Sequence, residues 1–319
     1  MRSVLVTRRL PSSVLSKLHA VAAVDLYRGE GPISQEELRA RISDKEALVC
    51  VSTDAIDRIV LDAAPQLKVV ANVAVGYDNI DVAHARSRGV VVTNTPDVLT
   101  ESVADFTWGL ILAITRRLAE GERLLRRGDW KGWAFDLLLG SELRGKQLGL
   151  IGHGRIGRAV AARAPAFGMR VAYTSQSVAD AAAATDDGPA RAMSLDRLLI
   201  TSDVISVHVP LTPATRHLID KRALARMKRS AFLINTARGS VIDEAALAWA
   251  LQQHLIAGAA LDVYEHEPAV SSELLQLENV LLVPHLASGT TETRSTMAEL
   301  AIDNVIEVLA GRPPLTPVA

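Results

Sequence analysis

The feature that most constrains this chain is a long alternation of short apolar runs with helical stretches. Val4–Thr7, Val24–Tyr27, Ala47–Val51, Val69–Asn72 and Val90–Thr93 make up a first set of such runs. Short continuous apolar runs suit strands covered on both faces, as in a parallel sheet between two layers of helices. Helical segments fall between most of them. Ser34-Gln35-Glu36-Glu37 reads as a capping box that opens one helix. Others are expected to begin near Asp54 and Asp81, where an acid meets a helix start. The chain has 319 residues, too many for one ordinary core, and this length suits two domains.

Around Asn94-Thr95-Pro96 the alternation pauses. A long helix is expected from about Thr100 to Gly121, followed by a stretch, Gly128 to Leu143, that holds Trp130 and Trp133. A second series then starts: Leu148–Ile151, Arg170–Tyr173, Val204–Val207, Ala231–Asn235, Ala257–Asp262 and Val280–Val283, closed by a helix over Thr291–Leu309. The Ala-rich piece Val178–Ala192 reads as a surface loop.

Composition narrows the function classes. Half the residues are apolar (49%) and 22% are charged, the balance of a globular protein. Lys plus Arg (35) nearly cancels Asp plus Glu (36), so nothing electrostatic favours a nucleic acid or an anionic membrane as partner. Cys50 is the only cysteine, which rules out an internal disulfide, and it sits in a run expected to be a buried strand. The first residues lack the pattern of a signal peptide, and the run Trp108–Ile114 is far too short to span a membrane. A cytoplasmic location is expected.

Gly152-His153-Gly154-Arg155-Ile156-Gly157 follows the strand Leu148–Ile151 and opens a helix over Arg155–Phe167. A GxGxxG alone is weak, but strand before and helix after make it a dinucleotide fingerprint. Gly152 allows the tight turn, Gly154 the approach of a pyrophosphate, and Gly157 close helix–strand packing. The helix N-terminus offers N–H groups and a positive dipole end to the phosphates. The plainer reading is a glycine-rich turn with no ligand. The fingerprint also calls for an acid at the end of the next strand, to bind the ribose 2′-hydroxyl. Thr174-Ser175-Gln176-Ser177 stands there instead, and the first carboxylate is Asp180. Hydroxyls and an amide tolerate a 2′-phosphate that an acid would repel. NADP(H) is therefore the favoured cofactor and NAD(H) the alternative. No arginine partner for that phosphate follows the strand, and Arg155 is a substitute candidate.

Three chemistry-bearing residues fall just beyond strand ends in the second series, the edge where open α/β sheets bind ligands. They are Arg238 in Asn235-Thr236-Ala237-Arg238-Gly239, Glu267 in Glu265-His266-Glu267-Pro268, and His285 in Pro284-His285-Leu286. A guanidinium fork can hold the carboxylate of a 2-keto acid and polarise its carbonyl. A histidinium can donate the proton to the carbonyl oxygen, and a neighbouring carboxylate can orient it. Each has a plainer reading: a surface cation, one acid of an acidic loop in which Glu265 competes, and a satisfied strand-end histidine.

These residues, with Val73-Ala74-Val75-Gly76-Tyr77-Asp78-Asn79-Ile80-Asp81, His208-Val209-Pro210-Leu211-Thr212 and Leu261-Asp262-Val263, carry a resemblance. The chain resembles the D-isomer-specific 2-hydroxyacid dehydrogenases, nearest the glyoxylate/hydroxypyruvate reductases, over almost its whole length. The resemblance implies an α/β fold of two doubly wound domains. A Rossmann NAD(P)-binding domain (99–287) would be inserted in a flavodoxin-like substrate domain (1–98 plus 288–319). It implies that Arg238, Glu267 and His285 are catalytic, with Glu267 chosen over Glu265 by the proline that follows it. Backbone amides at Val75 and Gly76 would help hold the substrate carboxylate. Thr107, Val209, Pro210, Thr212, Thr236, Ala237, Asp262, His285 and Ser288 would line the cofactor site. Gly128-Asp129-Trp130-Lys131-Gly132-Trp133 is similar to a segment that reaches into a partner subunit, which makes Trp133 a pocket wall in a homodimer formed through the cofactor domain. A core tryptophan is the rival reading.

The implied reaction is reduction of glyoxylate or hydroxypyruvate to a D-2-hydroxy acid. Other substrates for the same site are a bulkier 2-keto acid, 3-phosphoglycerate or phosphite, though the length argues against the regulatory domain found in many phosphoglycerate dehydrogenases. Formate oxidation is disfavoured, because its enzymes carry glutamine where Glu267 stands. A reading of another class is a dinucleotide-sensing corepressor, against which stands the lack of a long disordered tail. Ala287 stands where the family often has glycine, a tolerable change.

Overall fold

The structure, a computed structural model, describes residues 2–175 and 190–318. The chain forms two compact units. The first holds residues up to Leu99 together with those from Gly289 on, and the second holds Thr100–Ser288.

The first unit is a parallel sheet ordered β2-β1-β3-β4-β5, formed by β1 (Ser3–Val6), β2 (Ala23–Leu26), β3 (Ala47–Cys50), β4 (Val69–Asn72) and β5 (Val91–Thr93). This 2-1-3-4-5 order is that of a flavodoxin-like doubly wound sheet. The strands are apolar on both faces because both are covered. Leu5, Leu48, Cys50 and Val70 pack with Leu38, Ile42, Val60 and Ala85 from the helices Gln35–Ile42, Arg58–Asp62 and Val82–Ser87. Val4, Val6, Val49 and Ala71 pack on the other side with Val14 and Leu18 of Ser12–His19 and Ala298, Ile302 and Val305 of Thr291–Leu309. Ser34 caps its helix as expected, accepting Glu37 N at 3.1 Å. Asp54 does not start a helix. It is buried and accepts bonds from Thr7 Oγ1 (2.5 Å) and Val51 N (3.0 Å), and the next helix is capped three residues later by Asp57.

The second unit is a parallel sheet ordered β12-β11-β10-β9-β6-β7-β8. Its strands are β6 (Gln147–Ile151), β7 (Arg170–Thr174), β8 (Ala190–Ala192), β9 (Val204–Val207), β10 (Phe232–Asn235), β11 (Gly258–Leu261) and β12 (Val280–Leu282). The order changes direction at β6, between β7 and β9, which is the switch point of a Rossmann fold. Two of the sequence expectations fail here. The helix from Thr100 ends at Thr115, and a separate helix runs over Leu118–Arg126. Arg117 between them is left-handed (φ 56°), and Ser141 N takes the Thr115 carbonyl at 2.8 Å, ending the first helix. Ala190–Ala192 is no loop but an edge strand beside β7, while 178–189 lie outside the described residues. The helix after the glycine turn is α-helical to Arg163 and then tightens to a 3₁₀ turn over Ala164–Phe167, where Pro165 lacks an N–H.

Candidate active site

The second unit gathers its chemistry at one edge. All its strands run the same way, so the residues that follow β6, β9, β10, β11 and β12 leave the sheet at their C-terminal ends. These are the glycine turn, His208–Val209, Thr236–Arg238, Asp262 and His285.

The glycine turn is shaped by packing. Gly152 has φ 100°, and a Cβ there would lie 2.6 Å from the His208 carbonyl oxygen. A Cβ on Gly157 would lie 2.3 Å from the Gly152 oxygen, so helix and strand touch backbone to backbone. Gly154 differs, because nothing lies within 4 Å of the place its Cβ would take. Protein packing explains Gly152 and Gly157, whereas Gly154 keeps open space in front of a helix that has no side-chain cap. That cradle fits a dinucleotide pyrophosphate. The His153 ring stacks on Tyr173 with centroids 3.9 Å apart, beside the end of β7. Burial, then the charge of Arg158, lowers the His153 pKa. Thr174 and Ser175 are partly buried there, and Gln176 lies outside the described residues. His208 bonds Ser206 Oγ at 2.9 Å, and burial pushes its imidazole down to about 4, so it is neutral. Pro210 and Thr212 are exposed beyond it. Thr107 is buried and shares a 3.1 Å hydroxyl contact with Thr236.

Glu267 and His285 pair, and the Arg238 charge acts on Glu267. His285 Nδ1 lies 2.8 Å from Glu267 Oε2. Burial would raise the Glu267 carboxyl, but His285 through bond and charge, a backbone N–H, and finally the Arg238 charge hold it below the usual range. Tyr264 N donates to the other oxygen, Glu267 Oε1, at 3.1 Å, which fixes the carboxylate plane. His285 takes a left-handed backbone (φ 51°). Its loop is anchored by buried Asp262, which accepts Leu286 N at 2.5 Å and Ala287 N at 2.9 Å. Asn235 ties down the arginine turn, accepting Ala237 N at 3.0 Å and donating Nδ2 to the Arg238 carbonyl at 2.9 Å. Glu265 is engaged elsewhere, with His217 Nε2 at 3.0 Å and Glu244 N at 2.9 Å. The anchoring role of Asn235 was not read from sequence. Its one signal is an amide closing the otherwise apolar strand Phe232–Asn235.

A sequence profile described as the D-isomer specific 2-hydroxyacid dehydrogenase NAD binding domain matches residues 108–287. A glyoxylate reductase of Korarchaeum cryptofilum is 48% identical over 98% of this chain and 94% of its own length. The chain belongs to the D-isomer specific 2-hydroxyacid dehydrogenase family. A solved protein of Thermus thermophilus superposes with TM-score 0.92 at 44% identity, covering 99% of this chain and all of that one. An NADPH-dependent glyoxylate/hydroxypyruvate reductase of Sinorhizobium meliloti, solved with NADP and malonate, superposes with TM-score 0.87 at 38% identity, covering all of this chain and 97% of that one.

Other residues that the family resemblance assigns lie outside the group at the strand ends. Val75 and Gly76 belong to the first unit, where Asn94 Nδ2 donates to the Val75 carbonyl at 2.7 Å and Asn72 Nδ2 to the Gly76 carbonyl at 2.9 Å. With both carbonyls engaged, the loop has a fixed orientation. Trp133 is 82% exposed, which overturns the core-tryptophan reading. Ser288 closes the second unit and is partly buried.

Proposed function

We propose that the protein reduces a small 2-keto acid, glyoxylate or hydroxypyruvate, to a 2-hydroxy acid at the expense of NADPH, with NADH as the poorer donor. The observation that carries this reading is the His285–Glu267 pair at 2.8 Å, felt by the Arg238 charge, on the same sheet edge as an open glycine cradle.

When bound, the nicotinamide supplies a hydride to the keto carbon. Gly152–Gly157 with the N-terminus of the helix Arg155–Arg163 would hold the pyrophosphate. Thr107, Val209, Pro210, Thr212, Thr236, Ala237, Asp262 and Ser288 would line the rest. Arg238 would clamp the substrate carboxylate and stabilise the negative charge that grows on the carbonyl oxygen. His285 presents Nδ1 to Glu267, so Nε2 is the nitrogen that would give its proton to that oxygen. Glu267 keeps the imidazole oriented and favours its charged form. The hydroxyls of Thr174 and Ser175, with Gln176, suit a 2′-phosphate better than an acid would.

The same reading includes a homodimer built on the second unit. The helix Leu118–Arg126 has no buried residue, and Leu118, Leu125, Trp130, Trp133, Phe135 and Leu139 are exposed on or near it. An apolar surface of that kind is what a subunit contact covers. Trp133 would then border the partner's active site. Among the described residues no helix is long and apolar enough to cross a membrane, and a cytoplasmic location belongs to the proposal.

The test is a rate panel of glyoxylate, hydroxypyruvate, pyruvate and phenylpyruvate with NADPH and NADH. The reading expects glyoxylate and hydroxypyruvate with NADPH to give the highest kcat/KM. Tight NADPH binding without turnover of any keto acid would overturn it in favour of a dinucleotide-binding regulator.

A further inference from the structure

Two largely buried carboxylates outside the Arg238–Glu267–His285 group clasp the loop that carries Glu267. Glu244 opens the helix Glu244–Gln252, and Glu265 lies two residues before Glu267. They exchange main-chain bonds. Glu244 N donates to Glu265 Oε1 at 2.9 Å, and Glu265 N donates to Glu244 Oε1 at 2.5 Å. His217 Nε2 adds a 3.0 Å contact to Glu265 Oε2, and Arg216 lies 4.0 Å from the same oxygen. Carboxylates this buried persist only where hydrogen bonds compensate the lost water. Burial acts against both. It prevails at Glu244, whose pKa is raised, and is outweighed at Glu265 by the Glu244 N–H and His217.

The backbone held by this clasp touches both catalytic loops. On one side it abuts the arginine turn. A Cβ on Gly239 would fall 1.9 Å from Tyr264 C and 2.4 Å from Glu265 N. His217 N also donates to Ser240 O at 2.8 Å, so the histidine of the clasp grips that turn too. On the other side, Tyr264 N donates to Glu267 Oε1, and Glu267 Oε2 meets His285. One peptide group, Tyr264–Glu265, therefore lies between the guanidinium's turn and the imidazole's carboxylate.

We propose that Glu244 and Glu265, with His217, are positioning residues for the reduction: their clasp fixes the register between the turn bearing Arg238 and the loop bearing Glu267. This rests on the catalytic reading of those residues above. The role assigned to the clasp needs no contact with substrate or cofactor. It acts by denying the Tyr264–Glu265 peptide any slack, and misplacement of about 1 Å at a reacting group costs on the order of 100-fold in rate.

The test is a double-mutant cycle read as kcat per NADPH-binding site, with NADPH Kd followed by fluorescence titration. Glu244→Ala leaves the Glu265 N–H without its acceptor, and kcat for glyoxylate should fall about 30-fold while Kd stays within about twofold. Glu244→Gln keeps an acceptor oxygen and should hold kcat within about threefold of the parent. In a Glu267→Gln background the Glu244→Ala factor should shrink to about threefold or less, because the register it protects no longer serves an ionised partner. His217→Ala, at a partly exposed position, should repeat the pattern at about fivefold. A factor for both variants that is the same in either background, or a drop in Tm with kcat per site unchanged, overturns the proposal. An impaired Glu267→Gln enzyme beside fully active Glu244→Ala and His217→Ala enzymes overturns the clasp alone. A fully active Glu267→Gln enzyme overturns the catalytic reading and the clasp with it.

Discussion

Replacing Gly239 by alanine tests the packing of the active-site loops through one methyl group. The new Cβ would sit 1.9 Å from Tyr264 C, 2.1 Å from Tyr264 O and 2.4 Å from Glu265 N. Ordinary contact begins near 3.4 Å, so the arginine turn and the glutamate loop must part by about 1.5 Å. All three contacts are backbone, and no side chain can swing away to make room. The turn and the loop carry Arg238 and Glu267. A displacement above 1 Å at those groups costs on the order of 100-fold, or about 2.7 kcal/mol in the barrier. Overpacking also lowers stability by about 1–3 kcal/mol, a Tm shift of about 2–4 °C per kcal/mol for a unit this size. Thr236 and Ala237 of the displaced turn are assigned to the cofactor site, so NADPH affinity should weaken too, but by a smaller factor than kcat/KM falls. The assay is kcat/KM for glyoxylate beside an NADPH titration and a thermal melt. A Gly239→Ala enzyme with kcat/KM within threefold of the parent would show that the close approach does not set the catalytic register.

Three further outcomes follow from the geometry. His208 titrates at about 4 in the folded chain against an ordinary 6.5, so the unfolded chain takes up the proton first as pH falls. Its contribution is complete above about pH 6.5 and lost towards pH 4, about 3 kcal/mol in full, so the Tm advantage over His208→Asn should shrink across that window; parallel melting curves would refute it. Light scattering should give a mass of two chains, reduced to one by Leu125→Glu on the exposed apolar surface, and a monomeric parent would refute the contact. kcat/KM should favour NADPH over NADH, and Thr174→Asp should reverse the order through like-charge repulsion; a strong NADH preference in the parent would contradict the reading of that strand end.

Much of the architecture was legible because burial on both faces writes itself as short apolar runs. Val69–Asn72 and Val204–Val207 are strands with the bounds read from sequence, and Thr291–Leu309 is a helix with the bounds read from sequence. Breaks were harder, since they depend on tertiary partners. The stop at Thr115 comes from Ser141, a residue 26 positions on, and Asp54 resembles a cap while serving Thr7 and Val51. Edge strand Ala190–Ala192 carries too few residues to announce itself. At the site, types and strand ends pointed to Arg238, Glu267 and His285, and family resemblance chose Glu267. The structure adds a physical reason, because Glu265 spends its oxygens on Glu244 N and His217. The clasp itself was invisible. Main-chain donors leave no mark on sequence, and Glu244 reads as an ordinary first-turn acid.

The most direct measurement is NADPH oxidation by glyoxylate in the parent and in His285→Ala, with NADPH affinity determined for both. The account predicts a loss of about 1,000-fold in kcat, the scale of a missing general acid, with affinity changed by less than about threefold. A His285→Ala enzyme that turns over within tenfold of the parent would contradict it.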